Sequence, residues 1–226
     1  MSGQTWPRGI VFDLDGTLVD SVGDIAAALN GALGDVGLGP LSEDDVRGMV
    51  GRGADVTVRR ALARLGAEDR DPDALHAGFV RHYAAKPAER STLYPGAADM
   101  LARFRAEGRR LAICTNKPEE LTETIVRDIG VRTAFGAVIG ASARLPRKPD
   151  PAMLVAAFAG IGVDPADGLM VGDSVTDVGT ARALGIPIVL VSFGYTPVPA
   201  RELGADAVID HLDDLPGVLS QLVRPS

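Results

Sequence analysis

Residues 10–21 read IVFDLDGTLVDS, an apolar run that breaks abruptly into carboxylates and a glycine. Ile10, Val11 and Phe12 show no polar alternation, the pattern of a parallel strand buried on both faces. The run stops at Asp13, and Gly16 lets the backbone leave strand geometry. Two carboxylates two residues apart at the end of a buried strand are costly to desolvate unless something positive sits between them. A divalent cation with a phosphate bound to it meets that need. Taken alone, Asp13 and Asp15 would make only a polar turn, with the Thr17 hydroxyl on local backbone groups. The remainder of the chain shifts the balance.

After this strand, Ser21 can cap a helix whose apolar positions Val22, Ile25, Ala26, Leu29, Leu33 and Val36 keep helical spacing. Ser42 and Asp45 imitate a capping box for a short helix through Val46 and Met49. Val56, Val58, Ala61, Leu62 and Leu65 form a third stripe, and Pro72 suits the first turn of a fourth helix carrying Leu75, Phe79, Val80 and Tyr83. Residues 21–92 thus read as helices and loops without a strand. Beyond them the pattern changes. Strands are expected at residues 111–114, 137–139, 169–171, 186–191 and 207–209. Helices are expected from Pro95 to Gly108, from Thr115 to about Gly130, over 151–159, through Ala181 to Leu184, and over 215–222. Such alternation implies right-handed crossovers and a parallel sheet. The expected fold class is α/β. A Rossmann-like parallel sheet core with helices on both faces spans residues 1–20 and 93–226, and a small all-helical unit, 21–92, is inserted after the first strand.

At 226 residues the chain can bury a substantial core. Its net charge is −7, from 23 basic and 30 acidic residues without a long basic run, which argues against a nucleic-acid partner. The N-terminal MSGQTWPRG lacks the basic and apolar regions of a signal peptide, and no run of 18 apolar residues suggests a membrane span. A soluble cytoplasmic monomer or homodimer with no membrane partner is expected. The single cysteine, Cys114, excludes an internal disulfide and a Cys-rich zinc site, and it reads as a buried inert thiol. His76, His82 and His211 lack ligand spacing.

In an open parallel sheet, ligands bind outside the carboxyl ends of the strands. Asp13, Thr115 and Asp173 each follow directly on an expected strand, and Lys148 lies in the loop after another. Asp13 can attack phosphorus as a nucleophile, and Asp173 can share a Mg2+ with it. Thr115 offers a hydroxyl and Lys148 an ammonium for the phosphoryl oxygens. Asp15 can act as acid to the leaving oxygen and then as base to water.

Four stretches, DLDGT (13–17), TNK (115–117), RKPDP (147–151) and GDSVTD (172–177), together resemble the haloacid dehalogenase superfamily, specifically its phosphatases. GRGADV (51–56), CTNKP (114–118) and GYTP (194–197) look like its phosphoglycolate phosphatase branch. The resemblance implies Asp13 as nucleophile, Asp15 as acid/base, and Thr115 and Lys148 on phosphate. It also implies Mg2+ held by Asp13, the main-chain carbonyl of Asp15, and Asp173. The helical unit 21–92 would be the family's mobile cap, which closes over the site and selects substrate.

Other residues keep two readings. Asp177 either supports the metal water or Lys148, or merely pairs with a neighbouring helix or sits in solvent. Asn116 assists phosphate or caps the helix at Pro118. Arg52, between Gly51 and Gly53, either meets a substrate carboxylate or decorates a tight turn. Lys117 reads as a solvated side chain near a helix start, outside catalysis. The expected activity is Mg2+-dependent hydrolysis of a small phosphorylated metabolite, 2-phosphoglycolate first. Alternatives are a phosphatase of sugar phosphates, nucleotides or pyrophosphate, a β-phosphoglucomutase-like mutase, and a receiver-type phosphoaspartate signalling module.

Overall fold

The computed structural model describes residues 6–222, so the signal-peptide reading falls largely, and the chain's last four residues wholly, outside it. Strand β1 (Gly9–Phe12) is buried along its whole length because it is central, paired in parallel with a neighbour on each side. The chain then turns at Gly16 into a two-residue strand, β2 (Val19–Asp20), and four helices follow: α1 (Val22–Asp35), α2 (Glu43–Arg47), α3 (Ala54–Arg64) and α4 (Pro72–Ala85). It returns through β3 (Thr92–Leu93), antiparallel to β2. The helical insertion is therefore closed at its base by a small ribbon.

The insertion's helices start largely as the sequence predicts. Ser42 and Asp45 form the reciprocal capping box of α2. Asp71 accepts from the Asp73 and Ala74 N–H groups ahead of Pro72 in the first turn of α4. Ser21 departs from expectation. Its side chain makes no capping bond to α1, since its hydroxyl donates to Asp15 instead. Helices α1 and α4 lie close at Gly78, where an added Cβ would stand 3.3 Å from the Ala32 methyl.

The rest of the chain alternates: α5 (Ala97–Ala106), β4 (Arg110–Pro118), α6 (Glu119–Asp128), β5 (Ala137–Ala141), α7 (Ala152–Gly160), β6 (Gly168–Gly172), α8 (Val175–Leu184), β7 (Ile188–Val191), β8 (Ala207–Ile209) and α9 (Leu215–Leu219). Six strands form one sheet in the order β5-β4-β1-β6-β7-β8, every pairing parallel. Successive side chains point to opposite faces, so the sheet divides two apolar layers. Ile10, Phe12, Ile113 and Val171 join one, with Phe104 of α5 and Ile125 of α6. Val11, Ala112 and Met170 join the other, with Met153 and Phe158 of α7.

One element differs in kind from expectation. Residues 115–118 do not open a helix. They extend β4 across a register shift between Cys114 and Pro118, and Pro118 pairs with Ala141 before α6 begins at Glu119. Three consecutive polar residues, Thr115, Asn116 and Lys117, are thereby buried at a strand's carboxyl end. From β1 the sheet extends one way through β4 and the other through β6, and the crevice at this switch point is where an open α/β sheet binds ligands.

Candidate active site

The carboxyl ends of β1 and β6 bring acidic side chains together. Asp13 continues the ladder, its N–H donating to the Val171 carbonyl at 2.9 Å, while its Oδ1 accepts from Leu14 N at 2.7 Å. Its Oδ2 lies 3.1 Å from Lys148 Nζ, and that ammonium, with no side-chain exposure, also meets Asp177 Oδ1 at 2.6 Å. The other Asp177 oxygen accepts from the hydroxyl (2.7 Å) and N–H (3.1 Å) of Ser174 and from Asp173 N (3.3 Å). Asp177 is thus committed to Lys148 and to the start of α8. Asp173 turns its Oδ2 to the N–H of Tyr195 at 2.6 Å. Two glycines make room for it. Gly16 has φ +77°, and a Cβ there would stand 2.5 Å from Asp173 Oδ2; a Cβ at Gly194 would also strike Asp173.

Charge in this cluster is unbalanced. Carboxylate oxygens of Asp13, Asp173 and Asp177 lie within 4.8 Å of one another, all buried, with Lys148 the ammonium among them. Burial, reinforced by Asp177 and Asp15, pushes Asp13 up to about 6 even though Lys148 pulls the other way. Burial and the Asp177 and Asp13 charges raise Asp173 well above the usual carboxylate range. Burial works against the charge of Lys148, but Asp13 and Asp177 outweigh it and raise its pKa. An excess of buried, hard oxygen donors suits a divalent cation such as Mg2+. The donor set fits the ion.

Asp15 faces away from that cluster. Its Oδ1 accepts from Ser21 Oγ at 2.5 Å, and its two oxygens lie 2.7 and 2.8 Å from Lys117 Nζ. The expectation of a solvated Lys117 is overturned: only 3% of its side chain is exposed, because β4 carries it inward. Its Nζ also stands 4.6 Å from the ring centroid of Tyr83 on α4. Asn116 caps no helix. Its amide donates to the carbonyls of Lys148 (3.1 Å) and Gly51 (3.2 Å) and its oxygen accepts from Lys148 N (2.9 Å), tying the loop of Lys148 to β4. Thr115 is buried beside them.

A hollow of about 530 Å³, open mouth included, lies over these residues. Asp13, Asp15, Thr115, Asn116 and Lys117 form its polar side, while Ile25, Val50, Phe79 and Tyr83 from the helical insertion form an apolar wall. Lys148, Asp173 and Asp177 stand behind Asp13 rather than on the lining. Arg52 is exposed and lies outside the lining, while its neighbours Gly51 and Gly53 belong to it. An ion pair of Arg147 with Asp55 also joins the Lys148 loop to α3.

Cys114 is fully buried, and burial pushes its thiol up to about 12. It is expected to resist a thiol-reactive probe such as DTNB in the native protein and to react stoichiometrically in denaturant. Among the described residues no helix is long and apolar enough to cross a membrane.

A family model described as haloacid dehalogenase-like hydrolase matches residues 7–185. The phosphoglycolate phosphatase of Rhodospirillum rubrum is 43% identical over 215 residues, covering 92% of this chain and 89% of that protein. That of Caulobacter vibrioides is also 43% identical, over 209 residues, covering 92% and 88%. Among solved structures, a predicted phosphoglycolate phosphatase from Haemophilus somnus superposes with a TM-score of 0.88 at 31% identity, covering 96% of this chain and 99% of that one.

Proposed function

The chain belongs to the haloacid dehalogenase-like hydrolases, and from that premise we propose that it is a Mg2+-dependent phosphomonoesterase whose preferred substrate is 2-phosphoglycolate. The observation that carries this reading is the cluster of Asp13, Asp173 and Asp177 around Lys148 at one rim of the sheet, with Asp13 and Asp15 also lining a hollow of metabolite size.

In the proposed reaction an Asp13 carboxylate oxygen attacks phosphorus. The bond from phosphorus to the ester oxygen breaks, and Asp15 gives that oxygen a proton as the alcohol departs. Water then attacks the aspartyl phosphate and loses a proton to Asp15, and the bond from phosphorus to Asp13 breaks. Both carboxyl groups return to their starting state. Lys148 and Thr115 serve the phosphoryl oxygens, with Lys148 held in place by Asp177 and its loop by Asn116. Asp13, Asp173 and the main-chain carbonyl of Asp15 would hold Mg2+, which when bound offsets negative charge on the phosphoryl group. Residues 21–92 act as a cap, since Ile25, Phe79 and Tyr83 wall the hollow and Gly51 and Asp55 bind the core.

Steady phosphate release with Mg2+ is expected across a substrate panel, fastest with 2-phosphoglycolate and slower with sugar phosphates, nucleotides and pyrophosphate. Absence of release from every ester would overturn the hydrolase reading. The charge excess yields a second expectation. Mg2+ at a hundred times its Kd stabilises the fold by about 2.7 kcal/mol, read as a rise in thermal midpoint over chelated protein. Asp173→Asn is expected to remove most of that rise.

A further inference from the structure

Lys117 is the one cationic side chain lining the hollow among the described residues. Its ammonium has three donors, and both of its hydrogen bonds go to Asp15, so the third donor has no acceptor among the described residues. Burial strips most of its water, and the Tyr83 ring supports the charge from the side of the helical insertion. A desolvated ammonium facing a cavity attracts an anion more strongly than one in water. Arg52, the other candidate for that task, is exposed and off the lining.

We propose that Lys117 is the specificity residue of this site, receiving a carboxylate borne on the carbon bonded to the substrate's ester oxygen. The inference rests on the reading of Asp15 as the group that meets that oxygen. The reach follows from this placement. With phosphorus at Asp13 and the ester oxygen at Asp15, the ammonium 2.7 Å from the Asp15 carboxylate lies beside the next one or two bonds of the tail. A carboxylate on the adjacent carbon falls within its range, and one on a longer tail overshoots toward the apolar wall of Ile25, Val50 and Phe79. A second phosphate there would bring two further negative charges close to Asp13 and Asp15 with a single ammonium to meet them.

The test compares 2-phosphoglycolate with ethyl phosphate, which replaces the carboxylate by a methyl group and keeps the same ester carbon. In the Mg2+-loaded full chain the ratio of their kcat/KM values reads tail recognition, because any general cost of a substitution falls on both esters. Lys117→Met is expected to lower that ratio by about 10- to 100-fold, the usual range for a hydrogen bond to a charged group. Arg52→Met is expected to preserve it. An unchanged ratio in Lys117→Met, or a ratio lost only in Arg52→Met, overturns the assignment. Should Lys117→Met fail to fold, Lys117→Gln keeps a donor for Asp15 without the charge and carries the same expectation. The native chain adds its own check: equal kcat/KM for the two esters sinks this inference alone. Failure to hydrolyse either ester, with release from other esters of the panel, sinks the 2-phosphoglycolate reading as well.

Discussion

Asp13→Asn is expected to abolish phosphate release from every ester in the panel, lowering kcat by at least about 10³-fold. The amide keeps the shape and the acceptor that Leu14 N uses, but it offers no carboxylate oxygen to attack phosphorus. Stability is expected to move the other way. Burial already opposes the Asp13 charge and lifts its pKa to about 6, with Asp177 and Asp15 adding repulsion. A neutral side chain relieves that repulsion, while Lys148 keeps its 2.6 Å bond to Asp177. The metal-free variant should therefore melt no lower than the metal-free parent. Loss of activity with loss of fold would show that Asp13 is chiefly structural; residual turnover near the parent rate would remove it as nucleophile.

Lys148→Met should produce the largest loss of stability, about 3–5 kcal/mol, because it leaves a buried carboxylate cluster without its ammonium. Asp13, Asp173 and Asp177 would then face one another within 4.8 Å, with Ser174 and main-chain N–H groups as their remaining support. Urea unfolding of the chelated protein measures the effect, and Mg2+ should recover part of it by replacing some of the missing positive charge. The surface pair of Arg201 and Asp210, 63% and 58% exposed, supplies the contrast: breaking it should leave the denaturation midpoint in place. A Lys148→Met protein as stable as its parent in chelator would contradict the charge argument.

The sheet was legible because its strands contain short apolar runs that stop at polar residues, Gly or Pro. The residues 10–12, 111–114 and 169–171 all fall inside observed strands. Asp13 and Asp173 were legible for the same reason, as each directly follows such a run. Lys117 was not. Thr115, Asn116 and Lys117 interrupt the apolar pattern, and polar residues before Pro118 and two glutamates resemble a helix start. What carries them into the interior is the extension of β4 onto Ala141, a tertiary pairing with no local signature. The partner of Lys117, Asp15, lies 102 positions away in sequence. A scarcity of lysine was the available hint: three occur, and Lys117 and Lys148 are buried beside carboxylates. Asp177 and Asn116 each had two open readings, and both are taken up by holding Lys148 and its loop.

The ribbon of Val19–Asp20 against Thr92–Leu93 has a consequence for the protein's evolvability. It makes departure and return adjacent doorways, so whatever is threaded between them need not disturb the order of the six parallel strands. Lengthening, shortening or exchanging that excursion would redraw the roof over the chamber while the floor, with its carboxylates, stayed as it is.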